Sequence, residues 1–250
     1  MFTKKVNTQT RIEAPSKNER RRRGRPAGTT PQGQEMRERL YETATRLIAE
    51  HGYASTTLRN VADDARVSVG LLYKYFPNKR AVVIELYDRL SADFASRVAE
   101  PRSGKWRERF IFALKTSLEV LGPHRSTLAA LVPVLVGDSS EGIFSQSTAF
   151  SRLRVETIFH DAVFGATDAP ATRLANALGR LLYLLHLSVI LWWLLDRSPK
   201  QRATQGLIAL LQRILPSAAL ALRFPPFPSF VISGDALFQD ALLNDSGKGE

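Results

Sequence analysis

The sequence predicts an all-α protein. Apolar residues recur at helical spacing in unit after unit between Met36 and Leu222, and no strand-like alternation survives in residues 34–222. The breaks between units, "GPH", "GDSSEG", "GATDAP" and "DRSP", each carry Gly, Pro or Asp. A chain of 250 residues can bury a real core as one large domain or two modest ones. The expected architecture is an N-terminal three-helix helix-turn-helix domain, joined by a fourth helix to a larger C-terminal helical domain.

Each element has its own signal. Residues 1–33 show no apolar periodicity and are rich in Thr, Gln, Pro, Gly and Arg, which predicts a disordered arm. Thr30 and Pro31 then read as the cap and first residue of a helix. Met36, Leu40, Ala44, Leu47 and Ile48 share its inner face, and Gly52 closes it. Ser55, Thr56 or Thr57 caps a second, short helix with Leu58, Val61, Ala62 and Ala65 inward. "RVS" makes a tight turn, Ser68 caps a third helix through Phe76, and Pro77 ends it. Asn78 caps a longer fourth helix with the stripe Val82, Val83, Leu86, Leu90 and Phe94. Further helices are expected near 105–121, 126–136, 144–164, 171–195 and 200–222. The predicted domains are therefore an arm at 1–33, a head at 34–94 with its helix-turn-helix at 57–76, a second domain at 95–222, and a Pro- and Phe-rich tail at 223–250. That tail is expected to carry only a short helix near 236–243.

Charge narrows the partners. The net +11 is uneven: residues 1–33 hold nine Lys/Arg against two Glu, whereas residues 34–90 hold nine against eight acids. A basic arm on a near-neutral body suits a polyanion. Without cysteine there is no disulfide frame and no thiolate metal site. Glu156 and His160, four apart on one helix face, read as a surface ion pair rather than half a metal site. Neither a Gly-rich phosphate loop nor a nucleophile elbow is present, so no enzyme activity, cofactor or metal is expected. The N-terminal residues lack the apolar core of a secretory signal. The uncharged run Leu181–Leu195 falls short of the ~20 residues a membrane span needs, and Arg180 and Asp196 close it. These features predict a cytoplasmic, nucleoid-associated protein with no membrane partner.

Two short helices across a tight turn, braced by longer helices on both sides, form the layout of a DNA reader. Val61, Ala62, Val67, Leu72 and Phe76 supply a small core, which leaves Thr57, Arg59, Ser68, Val69, Gly70, Tyr73, Lys74 and Tyr75 pointing away from it. The hydroxyls and the ammonium in that set suit phosphate oxygens, Arg59 suits guanine, and Gly70 lets backbone approach the duplex. The stretch "RERLYETATRLIAEHGYASTTLRNVADDARVSVGLLYKYFPNKRAVV" resembles the DNA-binding domain of the TetR family of bacterial transcriptional regulators. The likeness spans about residues 34–94 and includes "EHGY", "TT", "VA", "VS", "LLYKYF" and "NK" in order. It implies a homodimer that reads a palindromic operator and is commonly released by a small ligand bound in the C-terminal domain. It also implies that Thr57 contacts phosphate, that Arg59 reads a base, and that Val69 and Gly70 enter the groove. Tyr73 and Tyr75 would meet phosphate or base, and Lys79 would clamp the DNA backbone. Val69 and Leu71 depart from the polar residues common at those positions, so readout leans on Arg59, thymine methyls and DNA shape.

The stretch "RRRRGRPAG" puts five arginines into nine residues, and its "RGRP" core resembles an AT-hook. Arg22, Arg23 and Arg25 are expected in a narrow minor groove beside the operator, with Arg20 and Arg21 on phosphates. A nonspecific basic tail is the plainer alternative. In the second domain, the last two long helices are apolar enough to predict a four-helix dimer interface. Phe110, Phe144, Phe159, Tyr183, His186 and Trp192 are candidates for an apolar ligand pocket, with plain core as the competing reading. Arg152 and Arg154 read as a solvated face. The sequence therefore predicts a repressor released by a small hydrophobic ligand, against the alternative of an effector-independent architectural DNA binder.

Overall fold

A computed structural model of the chain describes residues 30–100, 103–137 and 142–242, and among these every regular element is helical. The first, α1 (Pro31–His51), begins where Thr30 accepts a hydrogen bond from the Gly33 N–H at 3.1 Å, with Pro31 in the first turn. It ends at Gly52, whose φ of 83° lies in the left-handed region that glycine enters without a steric penalty. The helices α2 (Leu58–Asp64), α3 (Val69–Tyr75) and α4 (Lys79–Arg97) follow, capped by Thr57, Ser68 and Asn78. Their inward residues Leu40, Ile48, Ala62, Leu72, Phe76 and Val82 are almost wholly buried and close the head. Burying each such side chain is worth about 1.5–3 kcal/mol.

The turn after α2 is tight for an identifiable reason. Val67 N–H donates to Ala62 O and Arg66 N–H to Asp63 O, a Schellman arrangement. Its left-handed position, usually glycine, is filled by Arg66 at φ 52°. A second set of contacts locks α1 to α4. Arg37 pairs with Glu85, while Arg89 pairs with Glu38 at 2.6 Å and Glu85 at 2.5 Å. The Arg89 guanidinium also lies 3.9 Å from the Tyr41 ring centroid.

The second domain contains α5 (Trp106–Leu121), α6 (Arg125–Gly137), α7 (Ala149–Phe164), α8 (Thr172–Leu195), α9 (Arg202–Ala221) and α10 (Phe227–Leu242). The start of α7 comes later than the periodicity suggests. Thr148 donates its hydroxyl to the Gly142, Ile143 and Ser145 carbonyls, and these local bonds hold residues 145–148 out of the helix. By length and composition α8 is apolar enough to cross a membrane, because the helix extends well before Leu181. In this fold its Leu178, Leu182, Tyr183 and Val189 are buried, and it packs chiefly against α7 and α10. Gly179 permits the α7 crossing: a β-carbon there would sit 3.0 Å from His160 Cα.

One expectation changes here. Residues 227–242 are not a tail with a short helix but the sixteen-residue α10 laid along α8. A buried pair fixes it: Arg180 grips Asp235 through two 2.6 Å hydrogen bonds, and Gln239 adds a third at 2.8 Å. The sequence hid this partner because Arg180 and Asp235 lie 55 residues apart. Exposed apolar residues include Trp192 and Leu195 on α8, Leu210, Ile214 and Leu220 on α9, and Phe230 and Leu237 on α10.

Candidate nucleic-acid interface and effector cavity

The outward face of the head follows from its caps. The Thr57 hydroxyl accepts from Asn60 N–H at 3.1 Å, and the Asn60 side chain accepts in turn from Thr57 N–H at 3.0 Å. Thr57 thus begins α2 with its hydroxyl already engaged. Ser68 accepts from Leu71 N–H at 3.1 Å and begins α3 in the same way. Between them Arg59, Gly70, Tyr73 and Lys74 stand exposed, while Val69 and Tyr75 are partly buried against the core. Tyr73 is 51% exposed, a large aromatic ring half open to solvent. A side chain at Gly70 would meet nothing within 4 Å, so its openness matters for what approaches from outside.

Lys79 is placed differently from its expected role as a backbone clamp. Its ammonium donates to Tyr53 O and, at 2.8 Å, to Thr56 O, and it lies 4.0 Å from the Tyr53 ring centroid. It latches the start of α4 to the loop that carries the Thr57 cap. Arg22, Arg23 and Arg25 lie outside the described residues, as does all of "RRRRGRPAG".

The opposite end of α4 enters a different environment. Tyr87, Leu90 and Phe94 form one wall of a cavity of about 470 Å³ whose other walls come from α5, α6, α7 and α8, with Ile143, Phe144 and Thr148 from the segment before α7 and Leu242 from α10. Ligand sites commonly occupy ~300–1,000 Å³ and are mostly apolar with a few placed polar groups, which describes this one. Of the expected pocket residues, Phe144, Tyr183 and His186 line it. Phe110 and Phe159 are fully buried in the core behind it, with ring centroids 5.8 Å apart. Trp192 is 49% exposed, because α8 turns that edge outward, and it does not face the cavity.

Polar groups at the cavity are few and specific. His186 Nε2 shares a 2.8 Å hydrogen bond with Ser117 Oγ, its ring packs 4.6 Å from Phe159, and its Nδ1 is buried with no partner. Burial pushes this imidazole down to about 3, so it is neutral. Arg152 projects to the cavity with its Nε buried and unbonded. This corrects the solvated-face reading of Arg152. Arg154 is no surface ornament either: its Nη1 donates to Asp88 O, Asp88 Oδ1 and Ser91 Oγ at 3.0, 2.8 and 2.6 Å. The two arginines splay because residues two apart on a helix face different sides. His160 bonds Asn176 Oδ1 at 3.0 Å and stacks on Phe164, so its partner is α8 rather than Glu156. Among the described residues, no group of three or more His, Cys, Asp or Glu could hold a metal ion.

With this geometry in place, comparison with known proteins shows what the head is similar to. Residues 40–86 match the model for bacterial regulatory proteins of the tetR family. The head carries a TetR-type DNA-binding domain. The matched TetR segment runs from the middle of α1 into α4 and so contains the whole helix-turn-helix. The HTH-type transcriptional repressor KstR of Rhodococcus jostii is 27% identical over 168 residues, covering 66% of this chain and 75% of that one. The uncharacterized regulator YerO of Bacillus subtilis is 32% identical over 74 residues, 28% of this chain and 26% of its own length. HbdR of an Aromatoleum strain is 44% identical over 46 residues, 18% and 20% of the two chains. The chain thus spans about a quarter or less of these last two relatives. A tetR-family regulator from Streptomyces coelicolor shares the fold with a TM-score of 0.57 at 21% identity, over 82% of this chain and 89% of that one.

Proposed function

We propose that this protein is a cytoplasmic, DNA-binding transcriptional repressor of the TetR family that acts as a homodimer and leaves a palindromic operator when a small apolar ligand fills the cavity. It is a regulator and not an enzyme. The observation that carries the reading is the sharing of α4: its first residue latches the head, and its Leu90 and Phe94 wall the cavity. A ligand that moves this helix moves the head. The cavity is also what favours ligand release over an effector-independent architectural role. Repression agrees with the name of the KstR relative. In this reading Arg59, Val69, Gly70, Tyr73, Lys74 and Tyr75 meet the duplex, while Thr57 and Ser68 offer the N-termini of α2 and α3 to phosphates.

A second copy would supply the other reading head, at a half-site spacing of about 34–36 Å. Its natural seat is the apolar side of α9 and α10, where Leu210, Ile214 and Phe230 stand open. The basic arm would extend the footprint through Arg22, Arg23 and Arg25. Selection of bound fragments from random DNA tests the reading. The expected result is a two-fold symmetric site, and failure to enrich any duplex at low salt would overturn it. Truncation of residues 1–28 should then flatten the salt dependence of operator binding by about 0.9 unit of slope per lost phosphate contact. An unchanged slope would remove the arm from the interface.

A further inference from the structure

Two cavity-lining polar groups are unspent, and the chemistry they share defines a ligand class. His186 lines the cavity at 4% exposure, its Nε2 is committed to Ser117, and its Nδ1 is buried without a partner. Whichever of Nε2 and Ser117 holds the shared proton, Nδ1 keeps one hydrogen-bonding capacity unused. Arg152 is the stronger signal. Its Nε is buried without an acceptor, and no ion pair among the described residues engages it. Arg152 is partly buried, and a charged guanidinium whose Nε is shut away from water beside Leu, Val and Phe walls carries an unmet hydrogen bond unless an acceptor completes it. Most natural buried arginines therefore sit opposite a carboxylate, as Arg180 does with Asp235 in this protein.

Resting on the ligand-gated reading above, we propose that the effector is an apolar acid: a hydrocarbon body with one carboxylate, which pairs with Arg152 while the body fills the space between α4, α5 and α8. The rest of the wall fits the body and not a second charge. Leu90, Val120, Leu128, Leu187 and Leu191 contribute only carbon, and the serines and threonine present are neutral. A sugar, a nucleotide or a polyamine would bury polar groups here that the walls cannot satisfy.

The test uses the full-length protein and three probes: decanoic acid, decanol, and the uncharged dye Nile red, with binding followed by calorimetry and dye fluorescence. Wild type should bind the acid about ten- to a hundredfold more tightly than the alcohol, the range expected for one buried charge-assisted contact. Arg152→Met should erase that preference without weakening decanol binding, and Arg152→Lys should restore part of it. Arg152→Met should also leave the ligand-free melting temperature unchanged or raised, because it removes an uncompensated cation. A fall in melting temperature would mean that Arg152 is a structural tie, and the proposal fails. If acid and alcohol bind equally to wild type, the acid class is wrong while the cavity reading stands. If neither probe nor Nile red binds, the ligand-gated reading falls with it.

Discussion

Lys79, the lysine that opens α4, separates two accounts of its role: a latch inside the head or a clamp on DNA. The structure places its ammonium inside the head, on Tyr53 O, Thr56 O and the Tyr53 ring. A hydrogen bond to a charged donor contributes about 1.5–3 kcal/mol and a partly exposed cation–π contact about 0.5–1 kcal/mol. Water can reach the two carbonyls once the ammonium is gone, so Lys79→Met should cost about 1–3 kcal/mol of stability, less than the sum of these contacts. It should also loosen the loop that holds the Thr57 cap, and operator affinity should fall at every salt concentration. The salt dependence decides the matter. If Lys79 is a latch, the slope of log K against log salt is unchanged and only the intercept drops. If it clamps a phosphate in each half of a dimer, the slope shrinks by about 1.8 units. A shallower slope together with unaltered urea stability would refute the latch.

Four further outcomes follow from particular contacts. Arg66→Gly should raise stability by about 0.5–1 kcal/mol in a urea titration, because it removes a left-handed penalty of about 1–2 kcal/mol and adds back some chain entropy; no gain would mean the turn is unstrained. Arg125 donates to Trp193 O at 3.0 Å and Asp196 O at 2.9 Å and so closes the end of α8, and Arg125→Met should cost about 2–3 kcal/mol while exposed Arg173→Met changes stability by less than about 0.5 kcal/mol. Arg89 holds the Glu38 carboxyl below its ordinary 4.5, so its folded value is depressed and its contribution is present above that pH and lost as pH falls through the folded value. Glu38 is half-exposed, which keeps the effect small; Glu38→Gln should match wild type in acid and trail it slightly at neutral pH by thermal melting. Arg154→Met should leave ligand affinity intact yet shrink ligand-induced operator release several-fold in a binding titration, and undiminished release would exclude α7 as the link.

The head was legible because its signals are local. Thr30-Pro31, Gly52, Ser68 and Asn78 each act within one helical turn, and each sits where its chemistry predicts. The sequence left three candidates for the α2 cap, and only the reciprocal bonding with Asn60 singles out Thr57. What could not be read depends on partners far along the chain. Arg154 looks like any surface arginine until Asp88 is brought 2.8 Å away, 66 residues earlier in sequence. Phe110 and Phe159 looked as fit for a pocket as Phe144, since hydropathy does not distinguish a residue behind a wall from one on it. The length of α10 was obscured by the phenylalanines and prolines at 224–228, which read as a break yet precede a helix whose Asp235 is buried against Arg180.

The two arginines of α7 suggest how occupancy would become motion. Arg152 looks into the cavity, and two residues later Arg154 grips α4 at Asp88 and Ser91. Within the same α4 segment, Glu85 is held by Arg37 of α1 and Arg89 reaches Glu38 of α1. These grips lie within two turns of one another, so α4 cannot shift at Asp88 without loading the pairs that set the angle of α1. Packed interfaces of this kind switch between arrangements rather than bend continuously. A coupling of about 1–3 kcal/mol, equal to roughly five- to 150-fold in affinity, is typical of two linked sites. Breaking the half-buried Arg37–Glu85 contact lies within that range. Linkage then demands the reverse effect: a bound operator must weaken ligand affinity by the same factor.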